Sequence, residues 1–255
     1  MKSIVVCLLL LFSCICDAQT NNFSHDDDVV EKARILLGSR NKESNEKGEA
    51  ILQEMTGVSI EARFLLGWWI LNNKHGDWAK KRALSLIMSA SQEKNINASY
   101  LMMDVYRENK YGFGIKNPEK ATKLLKRVLI EIKEPLADDE STLGKWLLED
   151  NPKKNKKEAI FWLEKAVEHG NTFALMSLAP LFVDGEEQDL VKAWFYSDLG
   201  GTGMASEKHA IEKQMTPEQR EQAQEMSWQW QDEHHIHVPG YRGQGSPLRW
   251  QVESH

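Results

Sequence analysis

The clearest candidate metal ligands are three histidines near the C-terminus, His234, His235 and His237. Imidazole nitrogens are common ligands for zinc, nickel and copper. Adjacent residues of a helix point about 100° apart, so neighbouring histidines seldom reach one ion without further ligands. No cysteine and no His-Glu-x-x-His pattern accompanies them. We therefore interpret the cluster as a solvated helix end, with adventitious metal binding as the alternative, and expect no metal site and no cofactor.

The sequence also lacks the nucleophile and phosphate-binding motifs that would indicate an enzyme. It contains no Gly-x-Ser-x-Gly, no Walker loop and no dinucleotide-binding fingerprint. The loop Gly112-Phe113-Gly114 is a poor phosphate loop because no Lys-Ser or Lys-Thr pair follows it at the required spacing. We therefore predict no catalytic residues.

Charge and cysteine content exclude two further classes. The 255 residues carry 32 Lys and Arg against 38 Asp and Glu, a formal net charge of −6. This acidic balance argues against nucleic acid as a partner, which requires a basic surface. The three cysteines are Cys7, Cys14 and Cys16, so the rest of the chain can form neither a disulfide framework nor a cysteine-based zinc site.

The N-terminus has the pattern of a secretory signal peptide. Lys2 precedes an apolar run over 4–12, and small residues allow cleavage after Ala18. The run is shorter than the roughly 20 residues that a membrane-spanning helix needs. Residues 1–18 are therefore predicted to direct export, to the periplasm or to the extracellular space, and residues 19–27 to form a flexible leader. A lipobox-like sequence before Cys14 leaves lipidation of that cysteine as a rival interpretation.

The body of the chain repeats a pattern of small and large apolar residues. An alanine followed by large apolar residues at helical spacing recurs at positions 50, 83, 121, 159 and 193, at intervals of 33, 38, 38 and 34 residues. Each interval has room for two amphipathic helices. One such pair cannot bury its own apolar face, whereas stacked pairs share a core. This spacing predicts an all-α array of helix pairs.

Three segments make this array resemble a known family. They are Tyr111-Gly112-Phe113-Gly114-Ile115, then Pro118-Glu119-Lys120-Ala121, and the run from Ala159 to Asn171. Together they resemble the Sel1-like repeat, a tetratricopeptide-related helix pair found in many secreted bacterial proteins. The resemblance implies a right-handed α-solenoid of about five repeats over residues 28–205. Many relatives pin each repeat with a disulfide, and this chain has no cysteine after Cys16 to do so.

The region after the array begins with a helix-start signature. Thr216 at the N-cap, Pro217 at the first helical position and Gln219 three residues past the cap are typical of a capping box. Residues 206–237 are therefore predicted to contain a C-terminal capping helix, with Ala223, Met226 and Trp230 on one face. Residues 238–255 are predicted to form an irregular tail.

The resemblance implies a non-catalytic protein–protein interaction module that binds a protein or peptide partner, with no transmembrane segment in the mature chain. In related arrays the first helix of each pair lines a concave groove. The register then places seven residues on that groove: Phe64, Trp68, Asn72, Tyr100, Asp104, Lys145 and Met176. The alternative implied by some disulfide-bearing relatives is a cell-envelope enzyme that acts on peptidoglycan or β-lactams.

Overall fold

The computed structural model describes residues 25–132, 134–185 and 188–235. The predicted signal peptide with Cys14, most of the leader and the tail over 238–255 lie outside these residues. The described part of the chain consists of helices and turns and contains no strand, which confirms the predicted all-α fold. The chain divides into two compact units, Met1–Leu101 and Met102–His255.

The first unit is built from two helix pairs. Helix α1 packs against α2, and α3 packs against α4. The first helix begins inside the segment predicted as a leader, and its first turn carries three aspartates, which favour a helix N-terminus. The bounds are α1 His25–Leu37, α2 Lys42–Met55, α3 Ile60–Asn73, α4 Asp77–Gln92 and α5 Ile96–Glu108, of which α5 continues into the second unit.

The second unit contains the remaining helices. Helix α7 packs against α8, and α10 packs against both α11 and α12. Short 3₁₀ segments join or extend the helices at Lys110–Gly112, Thr172–Ala174, Ala179–Phe182 and Gly201–Met204. The bounds are α6 Pro118–Glu131, α7 Ala137–Asp150, α8 Pro152–Glu168, α9 Leu175–Leu178, α10 Leu190–Leu199, α11 Ala205–Glu212 and α12 Pro217–Glu233.

Small residues let the paired helices approach closely. Four of the repeating alanines, Ala83, Ala121, Ala159 and Ala193, are completely buried. A Cβ atom added to Gly67 of α3 would lie 3.0 Å from the carbonyl oxygen of Ala83 on α4. The repeated small residues are therefore contact points between paired helices, as the spacing predicted.

The first copy of the repeat has a different register from the predicted one. Ala50 is exposed, and the buried residues of α2 are Gly48 and Leu52. A Cβ atom on Gly48 would lie 3.0 Å from the carbonyl oxygen of Ala33 on α1. Gly48 rather than Ala50 is thus the contact residue, because a short side chain is needed where the two backbones meet.

The predicted C-terminal capping helix is present as α12. Thr216 and Gln219 form the expected reciprocal capping box, with Pro217 at the helix start. Ala223 is buried against the core of this unit, and Met226 and Trp230 pack partly buried against it. None of the helices in the described part of the chain combines the length and the apolarity that a membrane span requires.

Candidate functional site

A cleft of about 560 Å³ lies in the second unit between α8, α10 and α12. Its floor is apolar and includes the buried side chains of Val167, Phe195 and Leu199. Its walls combine aromatic and acidic side chains. The other lining residues are Phe161, Glu164, Lys165, Glu168, Tyr196, Met226, Gln229, Trp230 and Glu233.

Helix α8 supplies one wall of the cleft through side chains that recur at helical spacing. Phe161, Glu164, Lys165 and Glu168 are spaced three and four residues apart, so they share one face of the helix. The next residue, Trp162, points about 100° away from Phe161 and does not line the cleft. Trp162 is 6% exposed, whereas Phe161 is 55% exposed. A large aromatic ring at the mouth of a cleft is a typical anchor for a bound ligand.

Tyr196 fixes the position of one acidic side chain. Its hydroxyl donates a hydrogen bond of 2.6 Å to Oε1 of Glu164. Burial raises the pKa of the Tyr196 hydroxyl far above its usual range, and the Glu164 carboxylate raises it further. The phenol therefore stays protonated and acts as a permanent donor that holds Glu164 at the edge of the cleft.

Glu168 joins α8 to the end of α12. The indole Nε1 of Trp230 donates a hydrogen bond of 3.2 Å to Glu168 Oε1, and His234 Nε2 lies 2.7 Å from Oε2. The ring of His234 stacks on Trp230 at a centroid distance of 3.9 Å. The hydrogen bond to Glu168 raises the pKa of His234 above its ordinary value. Burial alone would raise the pKa of Glu168, but hydrogen bonds from His234 and Trp230 bring it below its ordinary value.

Lys165 is the basic residue of the cleft wall, and its charge is directed elsewhere. Its Nζ lies 3.2 Å from Oε1 of Glu140, a carboxylate of α7 that is only 2% exposed. His169 Nδ1 lies 2.6 Å from the other oxygen of Glu140. Since a buried carboxylate needs compensating charge, Lys165 neutralises Glu140 rather than the cleft.

The seven residues predicted for a concave groove belong to both units and differ in accessibility. Phe64 is 4% exposed, so a partner could contact little of its ring. The amide of the exposed Asn72 donates to the backbone oxygen of the half-buried Trp68. The remaining four are half-buried or exposed: Tyr100 and Asp104 on α5, Lys145 on α7 and Met176 on α9. The groove remains a prediction.

The histidine cluster is only partly described. His234 bonds to Glu168 and to the backbone of Trp230, His235 is exposed, and His237 lies outside the described residues. Within residues 25–132, 134–185 and 188–235, the structure places no group of three or more His, Cys, Asp or Glu side chains that could hold a metal ion. Within this cluster, His234 thus links the end of α12 to α8.

One catalytic spacing was missed in the sequence. Ser-x-x-Lys, which penicillin-recognising enzymes use for a serine nucleophile, begins at Ser39, Ser44 and Ser91. Ser91 is 5% exposed, and its Oγ lies 3.2 Å from Oγ of Ser99. The hydroxyl of Ser39 accepts a hydrogen bond from the backbone N–H of Asn41, at the turn before α2. These contacts account for two of the three serines as parts of the fold.

Sequence reasoning also missed the cleft itself. Its three walls come from helices that are separated by tens of residues, so no local spacing reveals them. The sequence did contain one signal, the pair of adjacent aromatic residues Phe161 and Trp162 on α8. Two adjacent aromatic residues on a helix cannot both be buried against one neighbour, so one of them must face another surface.

No protein-family model matches the chain, and no curated protein matches it either. Among solved structures, the chain is similar to a protective antigen of uropathogenic Escherichia coli strains displaying an SLR fold, with 17% identity and a TM-score of 0.47. That match covers 88% of this chain, which spans half (50%) of the antigen's length. It is also similar to a Sel1 repeat protein from Oxalobacter formigenes, with 16% identity, coverage of 69% and 70% of the two chains, and a TM-score of 0.47. The all-α fold of paired helices that the spacing predicted rests on the described helices themselves, and membership of the Sel1-like repeat family stays a prediction.

Proposed function

We propose that this chain is an exported, non-catalytic interaction module that binds an extended segment of a partner protein in the cleft between α8, α10 and α12. The observation that carries the proposal is an open cleft of about 560 Å³ with an apolar floor and an exposed aromatic ring, Phe161, at its mouth. Exposing an aromatic ring to water does not stabilise a folded chain, whereas a binding surface uses such a ring as an anchor for its partner.

The side chains around the cleft suit binding better than catalysis. The Tyr196 hydroxyl has a pKa well above its usual range because it is buried, so it does not serve as a base near neutral pH. Glu168 is engaged by Trp230 and His234, and its pKa lies below its ordinary value, so it is a poor proton donor. These groups hold shape and charge rather than transfer protons.

A peptide selection tests the binding function. Random twelve-residue peptides displayed on phage are selected on the purified full chain, and enriched peptides are synthesised with a fluorophore for anisotropy titration. We expect Phe161→Ala to weaken binding about tenfold or more, as loss of an aromatic anchor does. Ile130→Ala is the matched control, since Ile130 of α6 is 67% exposed and does not line the cleft.

The same titrations separate the cleft from the predicted groove. Trp68→Ala removes an aromatic residue of the groove prediction without touching the cleft, whose lining residues all lie in the second unit. Weakened binding to Trp68→Ala with normal binding to Phe161→Ala would place the partner in the groove and refute the cleft. If every enriched peptide binds Phe161→Ala as tightly as it binds the unchanged chain, or if no peptide is enriched, the binding function proposed for the cleft is refuted.

Export is the second part of the proposal and is supported by residues 1–18, which lie outside the described residues. We expect these residues to direct a fused alkaline phosphatase across a bacterial inner membrane, where the enzyme becomes active because its disulfides form. Leu9→Arg interrupts the apolar run and serves as the control. Equal phosphatase activity from both fusions would contradict export by this segment.

A further inference from the structure

We infer that the segment bound in the cleft is cationic, an extended peptide that presents arginine or lysine beside an apolar side chain. This inference rests on the proposed binding function and specifies its partner. It follows from three features of the cleft. These are the carboxylates on its walls, the contact of its lining lysine, Lys165, with Glu140 instead of those carboxylates, and the exposed ring of Phe161.

Three carboxylates contribute negative charge to the cleft, namely Glu164, Glu168 and Glu233. Glu164 accepts one hydrogen bond from Tyr196, and Glu233 accepts one from the side chain of Gln229 at 2.8 Å. An ionised carboxylate offers about four acceptor sites on its two oxygens. Both side chains are therefore oriented by a neighbour and still able to accept hydrogen bonds from a guanidinium or ammonium group.

The positive groups near the cleft do not offset this charge. Lys165 and His169 both contact the buried Glu140, which would otherwise be an uncompensated charge in the core. His234 lies against Glu168 and, even when protonated, balances only that carboxylate. Glu164 and Glu233 are then left without a balancing cation from the residues that line the cleft, so the cleft attracts positive charge and repels an acidic peptide.

The aromatic wall selects among cations. Arginine and lysine have long apolar stems that pack on hydrophobic surface while the charged end reaches a polar group. An arginine stem lying on Phe161 would bring its guanidinium towards Glu164, which is three residues along the same helix. The planar guanidinium also stacks on aromatic rings and pairs with carboxylates through two hydrogen bonds. The apolar floor accommodates the neighbouring side chain of the peptide.

A pair of matched peptides tests the charge requirement. One fluorescent twelve-residue peptide alternates arginine, leucine and glycine; its twin has citrulline, which is similar in shape and uncharged, at every arginine. We expect the arginine peptide to bind the full chain at least tenfold more tightly than the citrulline peptide in 50 mM salt. The ratio should fall in 500 mM salt, because salt screens exposed charges.

Two substitutions locate the effect on the cleft. Glu164→Gln and Glu233→Gln keep an acceptor oxygen for Tyr196 and Gln229 but remove the charge. We expect each to weaken the arginine peptide about threefold and the double variant about tenfold, with no change for the citrulline peptide, as is usual for partly exposed ion pairs. Glu119→Gln is the matched control, since Glu119 of α6 is exposed and lies outside the cleft.

The outcomes separate the two proposals. If peptides enriched in the selection depend on Phe161 but are neutral or acidic, or if the two matched peptides bind equally, the charge inference is refuted and the binding function stands. If Glu119→Gln weakens the arginine peptide as much as Glu164→Gln does, binding is unspecific attraction to an acidic protein, and the inference is refuted. If no enriched peptide depends on Phe161, the proposed function itself fails.

Discussion

Substitution of Gly144 by alanine tests whether backbone contact between paired helices holds the repeat together. Gly144 lies on α7, where it faces α8. A Cβ atom at this position would lie 2.5 Å from Cγ of Leu163 and 3.1 Å from the carbonyl oxygen of Ala159. Carbon atoms in contact are normally about 3.5–4.0 Å apart, so α7 and α8 would have to separate by roughly 1 Å.

The expected effect is the difference of two opposing terms. Glycine inside a helix is about 1 kcal/mol less favourable than alanine, so a glycine with space around it would be improved by the substitution. Overpacking a well-packed core costs about 1–3 kcal/mol. Leu163 is completely buried in the core of the second unit, and the Ala159 oxygen belongs to the backbone, so neither yields easily. We expect a net loss of about 1–2 kcal/mol in the free energy of unfolding and a fall in Tm of about 3–6 °C.

Urea denaturation followed by circular dichroism at 222 nm measures this loss, and Gly203→Ala is the control. Gly203 lies in the same unit, and a Cβ atom there would meet no other atom within 4 Å, so its change should stay within about 0.5 kcal/mol. A double-mutant cycle with Leu163→Ala removes one of the clashing groups and should reveal a coupling of about 1 kcal/mol or more. A Gly144→Ala variant as stable as the unchanged chain would refute the close approach of α7 and α8.

Three further predictions concern polar contacts. In an NMR titration, Glu168→Gln should lower the pKa of His234 towards its ordinary value. Because the pKa of His234 is raised in the folded chain, the contact between His234 and Glu168 contributes its full stability below about pH 6.5, the ordinary pKa of histidine. That stability is lost as the pH rises through the pKa of His234 in the folded chain. Glu140→Gln should cost about 1–2 kcal/mol in urea denaturation, because this buried carboxylate pairs with two basic side chains that are themselves partly exposed. Tyr196→Phe should cost about 1 kcal/mol by the same measurement, since it removes the hydroxyl that donates to the Glu164 carboxylate.

The helix-pair fold could be predicted from the sequence because it depends on local spacing. Alanines at positions 83, 121, 159 and 193 recur at intervals that fit two helices, and all four are buried. Start signals such as Thr216 with Gln219 act within three residues, so they too can be read along the chain. These features are fixed by helical period and by backbone hydrogen bonding, and both operate over a few residues.

The register of the first repeat could not be read in the same way. Ala50 and Gly48 are both small and only two residues apart, yet they face different sides of α2. Which of them meets α1 depends on where Leu36 and Leu37 pack, since a Cβ atom on Gly48 would lie within 3.1 Å of both side chains.

The cleft depends on contacts that α12 makes with two other helices, α10 and α8, which explains why no local pattern reveals it. Near its middle, the buried Ser227 donates to Asp198 of α10 at 2.5 Å, so small and polar residues hold α12 close to α10. Near its C-terminal end, Trp230 and His234 reach Glu168 of α8. Because a bulky indole rather than a small residue occupies that end, α12 is joined to α8 through side-chain tips, and the space beneath them remains open. The features that leave room for a ligand are thus the same ones that place carboxylates and aromatic rings around it.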